Sequence, residues 1–85
     1  MKIEFDPEKD ATNIAKHGLS LAQFDGFDSD PVFEIDDRRA YGEIRYRAFG
    51  RVDGAGRCLV FTLREGAMRL ISFRAARHKE LRHYE

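Results

Sequence analysis

The residue types that can carry out chemistry are concentrated in the last third of the chain. Arg64, Arg69 and Arg74 are followed by Glu80 and Tyr84, which are four residues apart and therefore lie on one side of a helix. Arginine binds phosphate through two parallel hydrogen bonds, and carboxylate, imidazole and phenol groups exchange protons. Together these groups are the ingredients for metal-free RNA cleavage. In that reaction the ribose 2′-hydroxyl attacks its own phosphate, with a base, an acid and cations placed around it.

The division of roles among these residues stays open at the level of the sequence. The three arginines are candidates for holding the phosphate, and either Glu80 or a histidine is a candidate for the base. Tyr84, His78 and His83 are candidates for donating a proton or for stacking on a nucleobase. A structural interpretation is equally concrete, because Glu80 can simply pair with Arg77 or His83 while Tyr84 covers a hydrophobic core.

Other kinds of active site find little support in the sequence. The three histidines contain no pair at i, i+4, and the single Cys58 lies in an apolar run, which excludes a disulfide framework and a cysteine-based metal site. The serines lack the elbow sequence of hydrolases, and the glycines fall at hairpin positions rather than in a phosphate-binding loop. We therefore expect neither a metal nor a cofactor.

The charge of the chain is divided between its two halves. Residues 1–37 hold three lysines and ten acidic residues, a net charge of −7, whereas residues 38–85 hold eleven arginines and one lysine against five acidic residues, a net charge of +7. A half built on arginine favours a polyanion or an acidic partner. Any single arginine is more simply explained as part of a solvated strand, but the whole set is not.

Capping residues and hydrophobic periodicity predict the elements that position these groups. In the first part of the chain we predict a strand at residues 2–5 and a helix at residues 7–17, which Asp6 caps and Gly18 ends. A second helix is predicted at residues 20–27. Together with the 85-residue length, the elements indicate one domain covering residues 1–85.

After Pro31 the apolar period changes to that of strands. The predicted strands cover residues 32–35, 44–52, 58–64 and 68–73, with a hairpin at Asp53-Gly54 and a last helix from Arg74. The predicted fold class is α+β, an antiparallel β-sheet meander with two N-terminal helices and one C-terminal helix. The chain has no signal peptide and no apolar run of about 18 residues, so we expect a cytoplasmic protein without membrane contact.

Two ordered motifs in the chain resemble those of the BrnT family, the toxin half of a bacterial type II toxin–antitoxin pair. The first motif is Phe5-Asp6-Pro7-x-Lys9-x-x-x-Asn13-x-x-Lys16-His17-Gly18. The second motif is Leu59-Val60-Phe61-Thr62-x-Arg64, followed by Arg69-Leu70-Ile71-Ser72-x-Arg74-x-Ala76-x-x-x-Glu80-x-x-x-Tyr84. The resemblance spans nearly the whole chain, and two motifs in a fixed order are more specific than a basic run.

The resemblance implies a small ribonuclease of RelE-like fold that stops growth by cutting RNA and blocking translation. It implies that a BrnA-like antitoxin neutralises the toxin, that a toxin dimer assembles with an antitoxin dimer, and that the pair represses its own operon through operator DNA. Carried onto this chain, the functional candidates are Lys9, His17, Arg64, Arg69, Arg74, Glu80 and Tyr84. We add Arg45, Arg77 and His78 as candidates for RNA binding, with Lys9 and His17, and prefer a structural role for Asn13.

Two other functions remain as alternatives. In the first, the chain is a non-catalytic binding module whose basic face captures an acidic partner or nucleic acid, and its binding then weakens steeply with salt. In the second, the chain is a structural subunit that associates head to tail through its charge asymmetry. The ribonuclease hypothesis requires that Arg64, Arg69 and Arg74 converge on one phosphate-sized spot near the last helix.

Overall fold

The computed structural model describes residues 2–84 of the chain, and the side chains of His83 and Tyr84 lie outside the described part. Its elements in chain order are β1 (Lys2–Phe5), α1 (Pro7–His17), a 3₁₀ helix (Leu21–Gln23), β2 (Val32–Ile35), β3 (Tyr46–Val52), β4 (Ala55–Arg64), β5 (Ala67–Ala75) and α2 (His78–Tyr84). The fold is α+β, which confirms the fold class predicted from the sequence.

The five strands form one mixed sheet in the order β1-β5-β4-β3-β2. Strands β2 to β5 make the predicted antiparallel meander, with the apolar strand β4 at its centre. The prediction of a wholly antiparallel sheet is wrong, because β1 pairs with β5 in parallel. The chain leaves β1 at one edge of the sheet, crosses the molecule through α1 and residues 18–31, and enters β2 at the other edge. The last strand of the meander then runs alongside β1 in the same direction.

Helix α1 begins and ends at the predicted residues, whereas the helix predicted after it does not form. The Asp6 carboxylate accepts a hydrogen bond from Glu8 N at 2.8 Å, and Gly18 ends α1 at φ = +71°. The predicted second helix at residues 20–27 is wrong, since only one 3₁₀ turn forms there. Phe24 is extended and Gly26 has φ = +144°, so the chain leaves the helical conformation while the Phe24 side chain enters the core.

The C-terminal helix starts later than predicted. Strand β5 continues to Ala75, and Arg74 lies within it opposite Cys58, so α2 begins at His78 rather than near Arg74. Strand β3 also starts at Tyr46, two residues later than the alternating pattern indicated. Both differences arise because strand pairing, not the local apolar period, sets the strand ends.

Strand β5 contains an extra residue relative to β4. Val60 pairs with Ser72, but the next residue of β4, Phe61, pairs with Leu70. Ile71 therefore has no cross-strand partner, which is a β-bulge, and side chains on either side of it change their alternation by one position. As a result Leu70 and Phe73, three residues apart, both point into the core and are at most 2% exposed.

The core lies on one face of the sheet, which we call the apolar face. Leu59, Leu70 and Phe73 point from its central strands, and the segment after α1 lays Leu21 and Phe24 over them. The ring of Phe24 meets Phe73 edge to face, with centroids 5.6 Å apart. This segment covers only part of the apolar face.

Helix α1 lies along the edge of β5 and is held there by Asn13. Strand β1 pairs with β5 only as far as Leu70, so the edge of β5 beyond Leu70 has no strand beside it. The Asn13 amide takes the place of a strand: Nδ2 donates to Phe73 O at 2.8 Å, and Phe73 N donates to Oδ1 at 3.1 Å. Nδ2 also donates to Leu19 O at 2.8 Å, which supports the structural role predicted for Asn13.

We expect Asn13→Ala to lower the free energy of unfolding by about 2–4 kcal/mol, because it leaves the buried N–H and C=O of Phe73 without partners. Urea unfolding followed by circular dichroism measures the change. The matched control is Thr12→Ala, one residue away on an exposed position of α1. Equal effects of the two substitutions would contradict the strand-replacing role of Asn13.

Candidate functional site

Arginines of strands β3, β4 and β5 project from the side of the sheet opposite the core. We call this side the arginine face, and its arginines include Arg47, Arg64, Arg69 and Arg74. In the β4–β5 register Arg69 lies opposite Thr62, and Arg74 lies opposite Cys58. Because Thr62 and Cys58 are four residues apart on one strand, they point to the same face, and so do the two arginines.

The three arginines predicted to hold a phosphate share this face but do not meet at one point. Arg64 and Arg69 are near-diagonal neighbours across the β4–β5 ladder. The β4 partners of Arg69 and Arg74, Thr62 and Cys58, are four positions apart, which at ~3.3 Å per residue is about 13 Å. The expectation of a single phosphate-sized spot is therefore replaced by a track of cations along the sheet, which suits a polyanion with successive phosphates.

Each of these arginines has a carboxylate partner from another element. Arg64 Nη2 lies 2.7 Å from Glu43 Oε1, and Arg69 Nη1 lies 3.6 Å from Glu4 Oε1. Solvated ion pairs of this kind contribute about 0–1 kcal/mol, so a phosphate that offers two acceptor oxygens can replace the carboxylate at little cost. These two arginines are available to an anionic ligand although they are paired.

The pair between Arg74 and Glu80 is different in kind. Arg74 Nη1 and Nη2 donate to the two Glu80 oxygens at 2.8 and 2.9 Å, and both side chains are less than one fifth exposed. The Arg74 bonds lower the pKa of Glu80 to about 2 despite its burial, with help from the Arg77 N–H. Glu80 is therefore ionised at neutral pH and acts on Arg74, whose own pKa it raises.

Helix α2 reaches the arginine face because β4 has a glycine under it. A Cβ atom at Gly56 would lie 2.4 Å from Leu81 Cδ1, so only glycine lets Leu81 rest on the sheet there. At the start of α2, the Glu80 carboxylate accepts from Arg77 N at 2.7 Å. This cap fixes the first turn of α2 and directs Glu80 toward Arg74.

A cleft of about 450 Å³ opens between α1 and β5, beside the arginine face. Lys9, Lys16 and His17 line it from α1, and Ser72 lines it from β5. Ser72 lies opposite Val60 and so points to the arginine face. The cleft therefore continues the arginine face, although Asp6 and Glu8 line it together with the two lysines.

The imidazole of His17 is kept neutral in this surface. Burial lowers the pKa of His17 from its ordinary value of 6.5, and the charges of Arg74 and Lys16 lower it further. A position in the last turn of a helix normally favours the protonated form, but desolvation and the two cations act in the opposite direction here. A neutral imidazole beside an arginine can accept a proton at physiological pH.

The loop between β2 and β3, residues 36–45, closes one end of the arginine face. Asp36 is buried and accepts two hydrogen bonds from the Arg38 guanidinium at 2.7 and 2.8 Å, which lower the pKa of Asp36 to about 2. The Tyr41 hydroxyl donates to the same carboxylate, and the Arg45 guanidinium lies over the Tyr41 ring at 4.0 Å. The loop also brings Glu43 to Arg64.

The structure gathers most of the sequence-predicted residues around this surface. Those around the arginine face and the cleft are Lys9, His17, Arg64, Arg69, Arg74 and Glu80. Arg45 lies at the end closed by the loop, whereas Arg77 and His78 are exposed at the start of α2. The Tyr84 side chain lies outside the described residues, so its predicted role stays a prediction.

The sequence prediction missed three further residues of this surface: Arg47, Lys16 and Ser72. Arg47 was detectable, because it alternates with Arg45 on a predicted strand. Lys16 follows Lys9 by two helical turns and was detectable in the same way. Ser72 was not, because its direction depends on the β-bulge.

Searches for two other kinds of site found none in the part of the chain that is described. Among the described side chains, residues 2–82, no three His, Cys, Asp or Glu groups are placed as metal ligands would be. None of the described helices has both the length and the hydrophobicity to cross a membrane.

Comparison with known proteins identifies a family for nearly the whole chain. Residues 5–80 match the sequence model of a family described as the ribonuclease toxin, BrnT, of a type II toxin–antitoxin system. The match includes all the residues of the arginine face and the cleft. No curated protein matches the chain.

We expect the stability contributed by Glu80 to be lost in acid. Its pKa in the folded protein, about 2, lies below the ordinary value of 4.5, so its contribution is complete above pH ~5 and disappears as the pH falls toward 2. The difference in unfolding free energy between wild type and Glu80→Gln should be about 1–3 kcal/mol at pH 7 and shrink steadily below pH 5. Urea titrations at several pH values test this, with Asp25→Asn, an exposed loop carboxylate, as control. A difference that does not vary with pH would rule the explanation out.

Proposed function

The chain belongs to the BrnT family of type II toxin–antitoxin ribonuclease toxins, and from this premise we propose that RNA is cleaved on its arginine face. The observation that carries the proposal is the placement of Arg69 and Arg74 on one face, beside the cleft that holds His17. A single-stranded RNA laid along this track meets cations at successive phosphates and a proton acceptor at one of them.

In the proposed reaction His17 accepts the proton of the ribose 2′-hydroxyl. The 2′-oxygen bonds to the adjacent phosphorus, the bond from phosphorus to the 5′-oxygen breaks, and the products carry a 2′,3′-cyclic phosphate and a 5′-hydroxyl. Arg74 stabilises the negative charge that develops on the phosphate. The proton for the 5′-oxygen comes from an acid, for which Tyr84, His78 and His83 remain the candidates.

Glu80 acts in this proposal as a positioning residue for Arg74 rather than as the base. A carboxylate with a pKa of about 2 is too weak a base to take a hydroxyl proton efficiently at neutral pH. Its two bonds to Arg74 instead hold the guanidinium over the sheet, and donors of Arg74 remain for a phosphate oxygen. Arg64 and Arg69 bind the flanking phosphates, and Lys9, Arg45, Arg77 and His78 extend the RNA-binding surface.

The proposal extends to the biology that the family resemblance implies. The chain acts in the cytoplasm, where it stops translation and growth by cutting RNA without a metal ion. A BrnA-like antitoxin neutralises it, and a complex of toxin and antitoxin dimers represses their operon through operator DNA. The type II family supports a protein antitoxin as the partner.

We expect Arg69→Ala and Arg74→Ala to reduce the rate of RNA cleavage by about 10²–10³-fold, because each removes a cation that faces the phosphate. The assay uses purified protein and end-labelled single-stranded RNA in EDTA, with the termini of the products identified by mass spectrometry. Arg57→Ala is the matched control, since Arg57 projects from β4 on the opposite side of the sheet, next to Phe73, and should change the rate less than about twofold.

The outcomes of this assay separate the alternatives. Cleavage of RNA but not of DNA of the same sequence supports attack by the 2′-hydroxyl. Equal rates for wild type and both arginine variants would remove these residues from the mechanism. RNA that binds in a salt-dependent manner but stays intact under every condition would favour the non-catalytic binding module.

The pH dependence of cleavage should identify the base. Activity requires neutral His17, so kcat/KM should fall in acid with an apparent pKa below 6.5. Lys16→Gln removes one of the charges that lower the pKa of His17, and should therefore move this acid limb to higher pH. Lys79→Gln on α2 serves as the control and should leave the limb in place. An unchanged limb in Lys16→Gln would exclude His17 as the titrating base.

A further inference from the structure

The apolar face has an uncovered half that the ribonuclease proposal does not use. Ile3, Phe33, Ile35 and Leu63 belong to strands β1, β2 and β4 and point to this face, yet they are 38–60% exposed. Between them lie Tyr46 and Met68, which the segment after α1 covers only partly. We call these six residues the apolar patch.

The apolar patch is a continuous concave surface. Two adjoining hollows of about 330 and 210 Å³ lie over it and share Phe33 and Met68 in their walls. It crosses all five strands, which at ~4.8 Å between strands makes it about 19 Å long. That length matches about 13 residues of an α-helix. Exposed apolar surfaces of this extent mark sites of association.

The charged residues around the apolar patch indicate which kind of partner it can bind. On one side, the loop of residues 24–31 and the turn after β4 border it; they contribute Asp25, Asp28, Asp30 and Glu65 and contain no lysine or arginine. Of these acids, Asp28 bonds to the amides of Asp53 and Gly54. Asp25, Asp30 and Glu65 are exposed. At the other end, the loop of residues 36–45 joins Ile35 to Tyr46 and contributes Asp37, Arg38 and Arg39, which are exposed. A partner segment with lysine or arginine beside residues 24–31 and Glu65 would complement this acidic border.

We propose that the apolar patch binds the antitoxin of this toxin, through an amphipathic segment with one apolar side and lysine or arginine at its flanks. The inference rests on the family membership that also supports the proposed function. Since the patch and the arginine face are on opposite sides of the sheet, this contact anchors the antitoxin without covering the proposed RNA track. Inhibition then requires a second part of the antitoxin that passes the edge of the sheet.

The test measures antitoxin binding and RNA cleavage separately. The probe is the purified, fluorescently labelled protein encoded beside this chain in its operon, titrated with toxin variants. The double variant Phe33→Asn, Leu63→Asn should bind roughly 100-fold more weakly than wild type. It should cut RNA at the wild-type rate and resist inhibition by the antitoxin. Ile14→Asn is the matched control, because Ile14 is 47% exposed on α1, outside the apolar patch, and its affinity should not change.

A second set of variants tests the contribution of the acidic border to antitoxin binding. Asp25→Asn with Asp30→Asn should weaken binding and flatten its dependence on salt concentration. Antitoxin affinity that is equal in wild type and the Phe33, Leu63 variant, with both folded by thermal melting, would overturn the proposal. So would a free toxin dimer that the same variant converts to a monomer, because the patch would then bind a second copy. Failure of wild type to cut RNA would sink the proposed function alone, since binding is measured without cleavage.

Discussion

The β-bulge at Ile71 is the constraint on which the arrangement of the arginines depends. Side chains alternate along a strand, so Arg69 and Arg74, five positions apart, would point to opposite faces of a regular β5. The unpaired residue restores them to one face, and by the same step it places both Leu70 and Phe73 in the core. Core packing therefore stabilises the bulge, and the arrangement of cations follows from it. The Asn13 amide, bonded to Phe73 N and O, holds the strand directly after the bulge.

The two faces of the sheet carry different side chains. On one face the strands present arginines whose carboxylate partners come from β1, the β2–β3 loop and α2. On the other face, residues 19–27 supply Leu21 and Phe24 to a core that they only half cover. A domain of 85 residues buries a modest fraction of its surface, so a partner on the uncovered half would add stability as well as control.

Local signals were sufficient to predict some elements, and distant pairing determined the rest. Asp6, Pro7 and Gly18 define α1 because capping depends on a few neighbouring residues. The helix predicted at residues 20–27 does not form, although the apolar residues have helical spacing. The backbone is extended at Phe24, whose side chain is buried in the core. The parallel position of β1 leaves no local mark, since its partners on β5 are about 65 positions away in the chain. The bulge in β5 leaves none either, since it depends on the register with β4. The arginines were identified by type, but their partners Glu4 and Glu43 could be found only from the fold.

The strengths of the three arginine pairs suggest how stability and chemistry are combined in one sheet. The pairs of Arg64 and Arg69 are solvated and weak, so an anionic ligand can exchange with the carboxylate. The pair of Arg74 is bidentate and largely buried, and removing one partner would leave a charge uncompensated. The same bonds attach α2 to the sheet, where Gly56 admits Leu81. Any change that loosens α2 therefore also releases the Arg74 guanidinium, and in the proposed mechanism the C-terminal helix acts on the site through Glu80 as a positioning residue.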